Sequence, residues 1–165
     1  MSDKKIIAVI GATGAQGGSV INAILNDSSK NFAVRAITRD STKPNAQKLK
    51  ERGCEVVEAD LSNKDSLQKA FEGAYGVFGV TDFWATMNAD IEISQGKNIA
   101  DAAKVRLPSN PLLSIASLAS SNNATQIHNR ANTSPLGRRR EAPRVFVSHQ
   151  RLKSLRRKTH KSDAF

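Results

Sequence analysis

The sequence has almost no cysteine. Cys54 stands alone among 165 residues, so no disulfide can form within the chain. It lies in the apolar stretch CEVVEA, where a small buried residue is the ordinary reading. Nothing in the composition points to an oxidising compartment. Histidine is scarce as well. His128, His149 and His160 are scattered with no cysteine near them, which excludes a Cys/His metal cluster. No apolar run approaches the ~20 residues that a membrane-crossing helix needs. The opening MSDKKIIAVIGATGA has the lysines, apolar stretch and small residues of a short signal peptide, but its glycine spacing and β-branched run suit a strand entering a turn. These absences lead to the expectation of a cytoplasmic protein without membrane contact, with an additional nuclear location allowed.

Acidic residues are missing from one end only. Residues 1–104 carry 13 Lys and Arg against 13 Asp and Glu, whereas residues 105–165 carry 12 against 2. The net charge of +10 therefore belongs to the last 61 residues, which also hold four of the five prolines and one of the ten glycines. The chain reads as two parts: a domain over 1–104 and a poorly ordered basic tail over 105–165. Within the tail, PLLSIASLA (111–119) could imitate a strand or a short helix, and PRVFVSHQ (143–150) alternates like a strand. Arg138 to Arg140 and RLKSLRRK (151–158) could serve a nucleic-acid or nuclear-import arm. Apart from Phe146 and the final Phe165, no aromatic residue interleaves with these charges, so nucleic acid is not expected as a partner.

The first part alternates strand and helix. KIIAVIG (5–11), FAVRAITR (32–39), CEVVEAD (54–60) and YGVFGVTDF (75–83) are short, β-rich and apolar, which predicts four strands. Between them, residues 17–27 place Val20, Ile21, Ile24 and Leu25 on one helical face. Residues 44–53 start with Pro and end with Gly, the usual helix punctuation. Residues 63–73 turn Leu67, Ala70 and Phe71 inward, and residues 88–104 place Ile91, Ile99, Ala102 and Ala103 on or near one face, which a sheet truncated after four strands would leave exposed. Such alternation with short links requires parallel strands and right-handed crossovers, hence an α/β, doubly wound parallel sheet. Its four strands are expected in the spatial order third, second, first, fourth.

The segment GATGAQGG follows the first strand and opens the first helix, with glycines at 11, 14 and 17. A chain turning there aims the free N–H groups of the first helical turn at one point, where the helix dipole adds positive charge. Gly11, Ala12, Thr13, Gly14, Ala15, Gln16 and Gly17 are therefore the candidate cradle for a pyrophosphate. Arg39 ends the second strand, 28 residues after Gly11, where an NAD site places a carboxylate for the ribose hydroxyl. A cation at that point favours a 2′-phosphate, with Lys43 near enough to join. The expected cofactor is therefore NADP, with NAD as the alternative, because Asp40 could take the hydroxyl instead. Asp60 and Leu61 end the third strand and could flank the adenine, Asp60 also being a candidate helix cap. Thr81, Asp82 and Phe83 end the fourth strand at the same edge and could line the ribose and pyrophosphate. Phe83 and Trp84 could equally be core.

The stretches IIAVIGATGAQGGSVINAIL, VRAITRD, GCEVVEADLSNKDSL, GAYGVFGVTDFW and QGKNIADAAK resemble the NmrA-like family, atypical relatives of the short-chain dehydrogenases. The likeness covers residues 4–104. It implies a Rossmann fold, a phosphate loop from Gly11 to Gln16 and a 2′-phosphate site from Arg39 to Lys43. It also implies an adenine flank at Asp60 and Leu61 and a cofactor-lining role for Thr81 to Phe83. Where some relatives carry Lys on the fourth helix, this chain has Ser94. Family members continue past this segment with a fifth strand and a substrate or partner domain. Here the likeness stops inside a βαβ unit and an Arg-rich composition begins, so the sheet is expected to be truncated after about four strands. The tail is expected to come from a shifted reading frame or an intron.

The carbonyl-reducing relatives use a Tyr and a Lys four residues later, the Lys lowering the pKa of the Tyr. Here the single tyrosine, Tyr75, is followed at that spacing by Gly79. That favours an NADP(H)-binding redox sensor or transcriptional regulator, with a dinucleotide ligand and a regulatory protein partner implied by the resemblance. An NAD(P)H-dependent reductase of quinone or isoflavone type is the alternative, and a non-functional gene-model fragment is the second.

Overall fold

The computed structural model describes residues 4–82, 85, 87–106, 112–117 and 144–149. The strands are β1 (Lys5–Ile10), β2 (Phe32–Thr38), β3 (Glu55–Glu58), β4 (Gly76–Val80), β5 (Leu112–Ser117) and β6 (Arg144–His149). The helices are α1 (Ala15–Asn26), α2 (Pro44–Glu51), α3 (Lys64–Ala70) and α4 (Ala89–Arg106). The first four strands and all four helices fall on the segments that periodicity marks.

Every strand pair is parallel, and the order across the sheet is β3-β2-β1-β4-β5-β6. The order of the first four is the expected one. The sheet does not stop there. β5 lies along β4, with Gly76 opposite Leu112 and Val80 opposite Ala116, and β6 lies along β5. An open edge of backbone N–H and C=O groups is satisfied by pairing, and two hexapeptides of the C-terminal part, LLSIAS and RVFVSH, supply that pairing. The remainder of the expected basic tail lies outside the described residues.

The central strands β1 and β2 bury side chains on both faces, and their period of two sorts them. Ile7 and Val9 of β1 with Val34 and Ala36 of β2 pack against Ile21, Leu49 and Cys54 on the α1–α2 side. Ala8, Ile10 and Ile37 pack on the opposite side against Leu67, Phe71, Ile99 and Ala103 of the α3–α4 layer. Burial of Cys54 pushes its thiol up from the ordinary value, so it stays protonated and inert at neutral pH.

α4 departs from its predicted face. Ile99, Ala102 and Ala103 are buried, not left exposed as a truncated sheet would leave them, whereas Ile91 is 39% exposed and its neighbour Glu92 1% exposed. The buried stripe runs through Glu92, Gly96, Ile99 and Ala103, at spacings of four, three and four residues, and Ile91 lies off it. Among the described residues, no helix is long and apolar enough to cross a membrane.

Candidate functional site at the carboxyl edge of the sheet

β1 to β4 are parallel, so the loops that follow them lie at one edge of the sheet, and the candidate residues among the described ones sit on these loops or in the first turn of α1. After β1 the chain turns at Gly11, whose φ of 68° is a left-handed value that other residues adopt only with strain. The amide of Gly14 closes the turn on the Gly11 carbonyl at 2.9 Å. α1 then begins with Gly14 as N-cap, no side chain caps it, and its first turn holds no acidic residue. Neither a capping side chain nor an acidic residue of its own first turn offsets its positive end. Thr13, Gly14 and Ala15 are exposed, Gly11 and Gln16 half-buried, and Ala12 and Gly17 buried. A Cβ on Gly17 would lie 2.3 Å from the Gly11 carbonyl oxygen, so the helix packs this close to the loop only because residue 17 has no side chain.

The loop after β2 is built around its own hydrogen bonds. Oδ1 of Asp40 accepts from the Thr42 amide at 2.9 Å and the Thr42 hydroxyl at 2.6 Å. Those two donors, the hydroxyl first, hold the Asp40 carboxyl below its usual range. Oε1 of Glu58, at the end of β3, accepts from the Ser41 amide at 2.8 Å and the Ser41 hydroxyl at 2.7 Å. The same kind of donation lowers Glu58. The Gln47 side-chain amide donates to the Ser41 carbonyl at 2.7 Å. Arg39 is exposed and has no hydrogen-bond or ion-pair partner among the described residues. Lys43 is exposed too, and its charge acts on Asp40. The arrangement points Asp40 into its own turn and leaves two cations open to a ligand.

After β3, Oδ1 of Asp60 accepts from the Ser62 amide at 2.9 Å, a local turn. The α3 cap is Asn63, which accepts from the amides of Asp65 and Ser66, so Asp60 is not the cap. Leu61 is half-buried against the α3–α4 core. Its carbonyl accepts from the Asn98 side-chain amide at 2.9 Å, and Gln95 reaches the Ser62 hydroxyl at 3.4 Å. Gln95 and Asn98 are one turn apart on α4 and tie this loop down, a role that spacing alone did not reveal. At the end of β4, Thr81 is fully buried and its hydroxyl donates to Glu92 Oε1 at 2.8 Å. Its side chain is therefore turned toward α4 and away from solvent, while Asp82 is exposed. Phe83 and Trp84 lie outside the described residues. Among the described residues, no group of three His, Cys, Asp or Glu is placed to hold a metal ion.

The model of the NmrA-like family matches residues 3–106. The NmrA-like family domain-containing oxidoreductase cpsB of Aspergillus campestris is 41% identical over 104 residues, covering 61% of this chain and 30% of that protein. The chain thus spans about a third of the length of the curated relatives it matches. Among solved structures, the triphenylmethane reductase of Citrobacter sp. complexed with NADP(H) superposes with a TM-score of 0.62 at 26% identity, covering 76% of this chain and 44% of that one. The negative transcriptional regulator NmrA in complex with NADP gives a TM-score of 0.64 at 24% identity, covering 88% and 45%, a likeness of fold.

Proposed function

The chain belongs to the NmrA-like family, and on that premise we propose that it binds NADP(H) in preference to NAD(H), as a redox-responsive binding protein of the regulator type. The observation that carries this reading is Arg39: an exposed guanidinium without a protein partner among the described residues, at the end of β2, in the same edge as the uncapped start of α1. Gly11 to Gly17 hold the diphosphate through backbone N–H groups, Arg39 and Lys43 hold the 2′-phosphate, and Asp60 and Leu61 flank the adenine. Asp82, with Phe83 beyond the described residues, lines the middle of the cofactor, and Thr81 supports that wall from behind. When bound, the cofactor supplies hydride chemistry. The residues described here supply binding and orientation, and Tyr75 has glycine, not lysine, four residues on. A regulatory protein that reads cofactor occupancy is the partner this reading implies. The second reading is an NADPH-dependent reductase, favoured by the name oxidoreductase carried by the curated relatives.

The test is calorimetric titration of NADPH and NADH into the chain and into Arg39→Ala. A charge-assisted contact contributes about 1.5–3 kcal/mol, or roughly ten- to a hundredfold in affinity. NADPH affinity should fall by that factor in the variant while NADH changes by less than about twofold. Binding without oxidation of NADPH by quinones or carbonyls supports the regulator reading, turnover supports the reductase, and absence of binding removes both.

A further inference from the structure

We propose that Glu58 is a positioning residue that sets the preference for a 2′-phosphorylated adenosine by fixing the loop that carries Arg39 and Lys43. The proposal rests on the dinucleotide reading above and deepens it. Glu58 belongs to β3, a strand away from the loop, and lies opposite Thr38 at the end of β2. From there its Oε1 takes both donors of Ser41, the amide at 2.8 Å and the hydroxyl at 2.7 Å.

The polar groups of the loop are nearly all committed. Thr42 gives its amide and hydroxyl to Asp40 Oδ1, and the Asp40 amide donates to the Thr38 hydroxyl at 3.3 Å. The Ser41 carbonyl takes the Gln47 side chain, and the Lys43 carbonyl takes the amides of Ala46 and Gln47. Ser41 and Thr42 thus have no donor left for a phosphate, and discrimination falls to the two cations. A long side chain recognises a phosphate well only when its backbone is held still, since a mobile loop adds an ordering cost to every contact. The turn through Asp40 is internal to the loop. Gln47 ties Ser41 to α2, and Glu58 ties it to the sheet on which the rest of the site is built. A ligand without a 2′-phosphate does not use Arg39 and is indifferent to that tie.

Three variants separate position from charge. Glu58→Ala removes the acceptor, Glu58→Gln keeps an acceptor oxygen and removes the charge, and Ser41→Ala keeps the amide bond and loses the hydroxyl. NADPH, NADH, 2′,5′-ADP and 5′-AMP are titrated into each by calorimetry. In Glu58→Ala the preference for NADPH over NADH should fall about tenfold, equivalent to roughly 1.4 kcal/mol, with NADH affinity within about twofold of the parent. Glu58→Gln should retain the preference to within about threefold, Ser41→Ala should lose about threefold, and the two adenosine fragments should repeat the pattern. An unchanged preference in Glu58→Ala, an equal loss for both dinucleotides, or a loss in Glu58→Gln as large as in Glu58→Ala overturns the proposal while leaving the dinucleotide reading intact. Should Glu58→Ala fail to fold, an unchanged preference in Ser41→Ala overturns it. A parent chain that binds neither dinucleotide overturns the reading above and this proposal with it.

Discussion

The hydroxyl of Thr81 donates to Glu92 Oε1 at 2.8 Å, and both residues are buried. The bond joins the end of β4 to the first turn of α4, where a carboxylate also meets the positive end of the helix. Hydrogen bonds to charged groups contribute about 1.5–3 kcal/mol, and a buried donor left without its acceptor adds a desolvation cost. Glu92→Ala should therefore destabilise the fold by about 2–3 kcal/mol, and Glu92→Gln, which can still accept from Thr81, by about 1 kcal/mol. Urea denaturation measures both. Equal losses in the two variants would mean that the negative charge, not the bond to Thr81, is what matters.

Arg35 is a second long-range clamp. Its Nε pairs with Glu55 at 2.8 Å, and its Nη1 donates to the carbonyls of Ala70 and Glu72 at 2.9 and 2.7 Å, so one guanidinium joins β2, β3 and the end of α3. The Arg35 side chain is only 12% exposed, which limits solvent screening. Arg35→Lys cannot reproduce the fork and should cost about 1–2 kcal/mol, while Arg35→Ala, which leaves the carbonyls without their donor, should cost about 2–4 kcal/mol. Thermal unfolding followed by circular dichroism checks the order of the two.

How much of this was legible in the sequence depends on whether a residue acts through its own periodicity or through a neighbour brought by the fold. Leu67, Ala70 and Phe71 declared their burial because the helical period alone decides it. Ile91 was misplaced because hydropathy preferred it to Glu92, and nothing local says that the Thr81 hydroxyl waits opposite. Glu58 reads as the charged end of an edge strand, yet its partner Ser41 stands 17 residues away and meets it only through strand pairing. Asn98 looks like a polar position on a helix and is bonded to the Leu61 carbonyl across 37 residues. The glycine turn after β1 is the opposite case, since Gly11 and Gly17 are required by backbone geometry that the motif itself encodes. LLSIAS and RVFVSH carried strand-like patterns, but a strand's neighbours are not written in its own alternation.

Gly17 allows the sharpest test of the phosphate loop. Its missing side chain is what lets α1 approach the Gly11 carbonyl, and an added Cβ would lie 2.3 Å from that oxygen, with the Gly11 carbonyl carbon at 2.7 Å. Backbone atoms cannot swing aside as a side chain can. Gly17→Ala should move the start of the helix, costing about 1–3 kcal/mol as overpacking does. It should also weaken NADPH and NADH together by more than about tenfold, since both share the diphosphate. Arg39→Ala, by contrast, should weaken NADPH selectively. Calorimetry on the two variants distinguishes a lost cradle from a lost selector. Retention of full affinity in Gly17→Ala would remove the loop from the site.

The acid side of the stability profile follows from three carboxylates held by neighbouring donors. Asp27, Asp40 and Glu58 are all held below their ordinary values of 3.8, 3.8 and 4.5, chiefly by hydrogen bonds from Ser29, Thr42 and Ser41. Each then binds fewer protons folded than unfolded in the acid range, so stability rises with pH through that range. Their contribution is present in full above the unfolded values, from roughly pH 5 upward, and is lost as the pH falls through the lowered folded values. The unfolding midpoint should be insensitive to these groups between neutral pH and about pH 5 and should fall below it. In a double variant, Asp40→Asn with Glu58→Gln, the fall should be shallower, and the gap between variant and parent should shrink as the parent's carboxylates take up protons. Urea midpoints measured at half-unit steps from pH 7 to pH 2.5 decide this. A gap as wide at the acid end as at neutrality would mean that these carboxylates do not set the acid side of the profile, and the assignment of that fall to them would have to be given up.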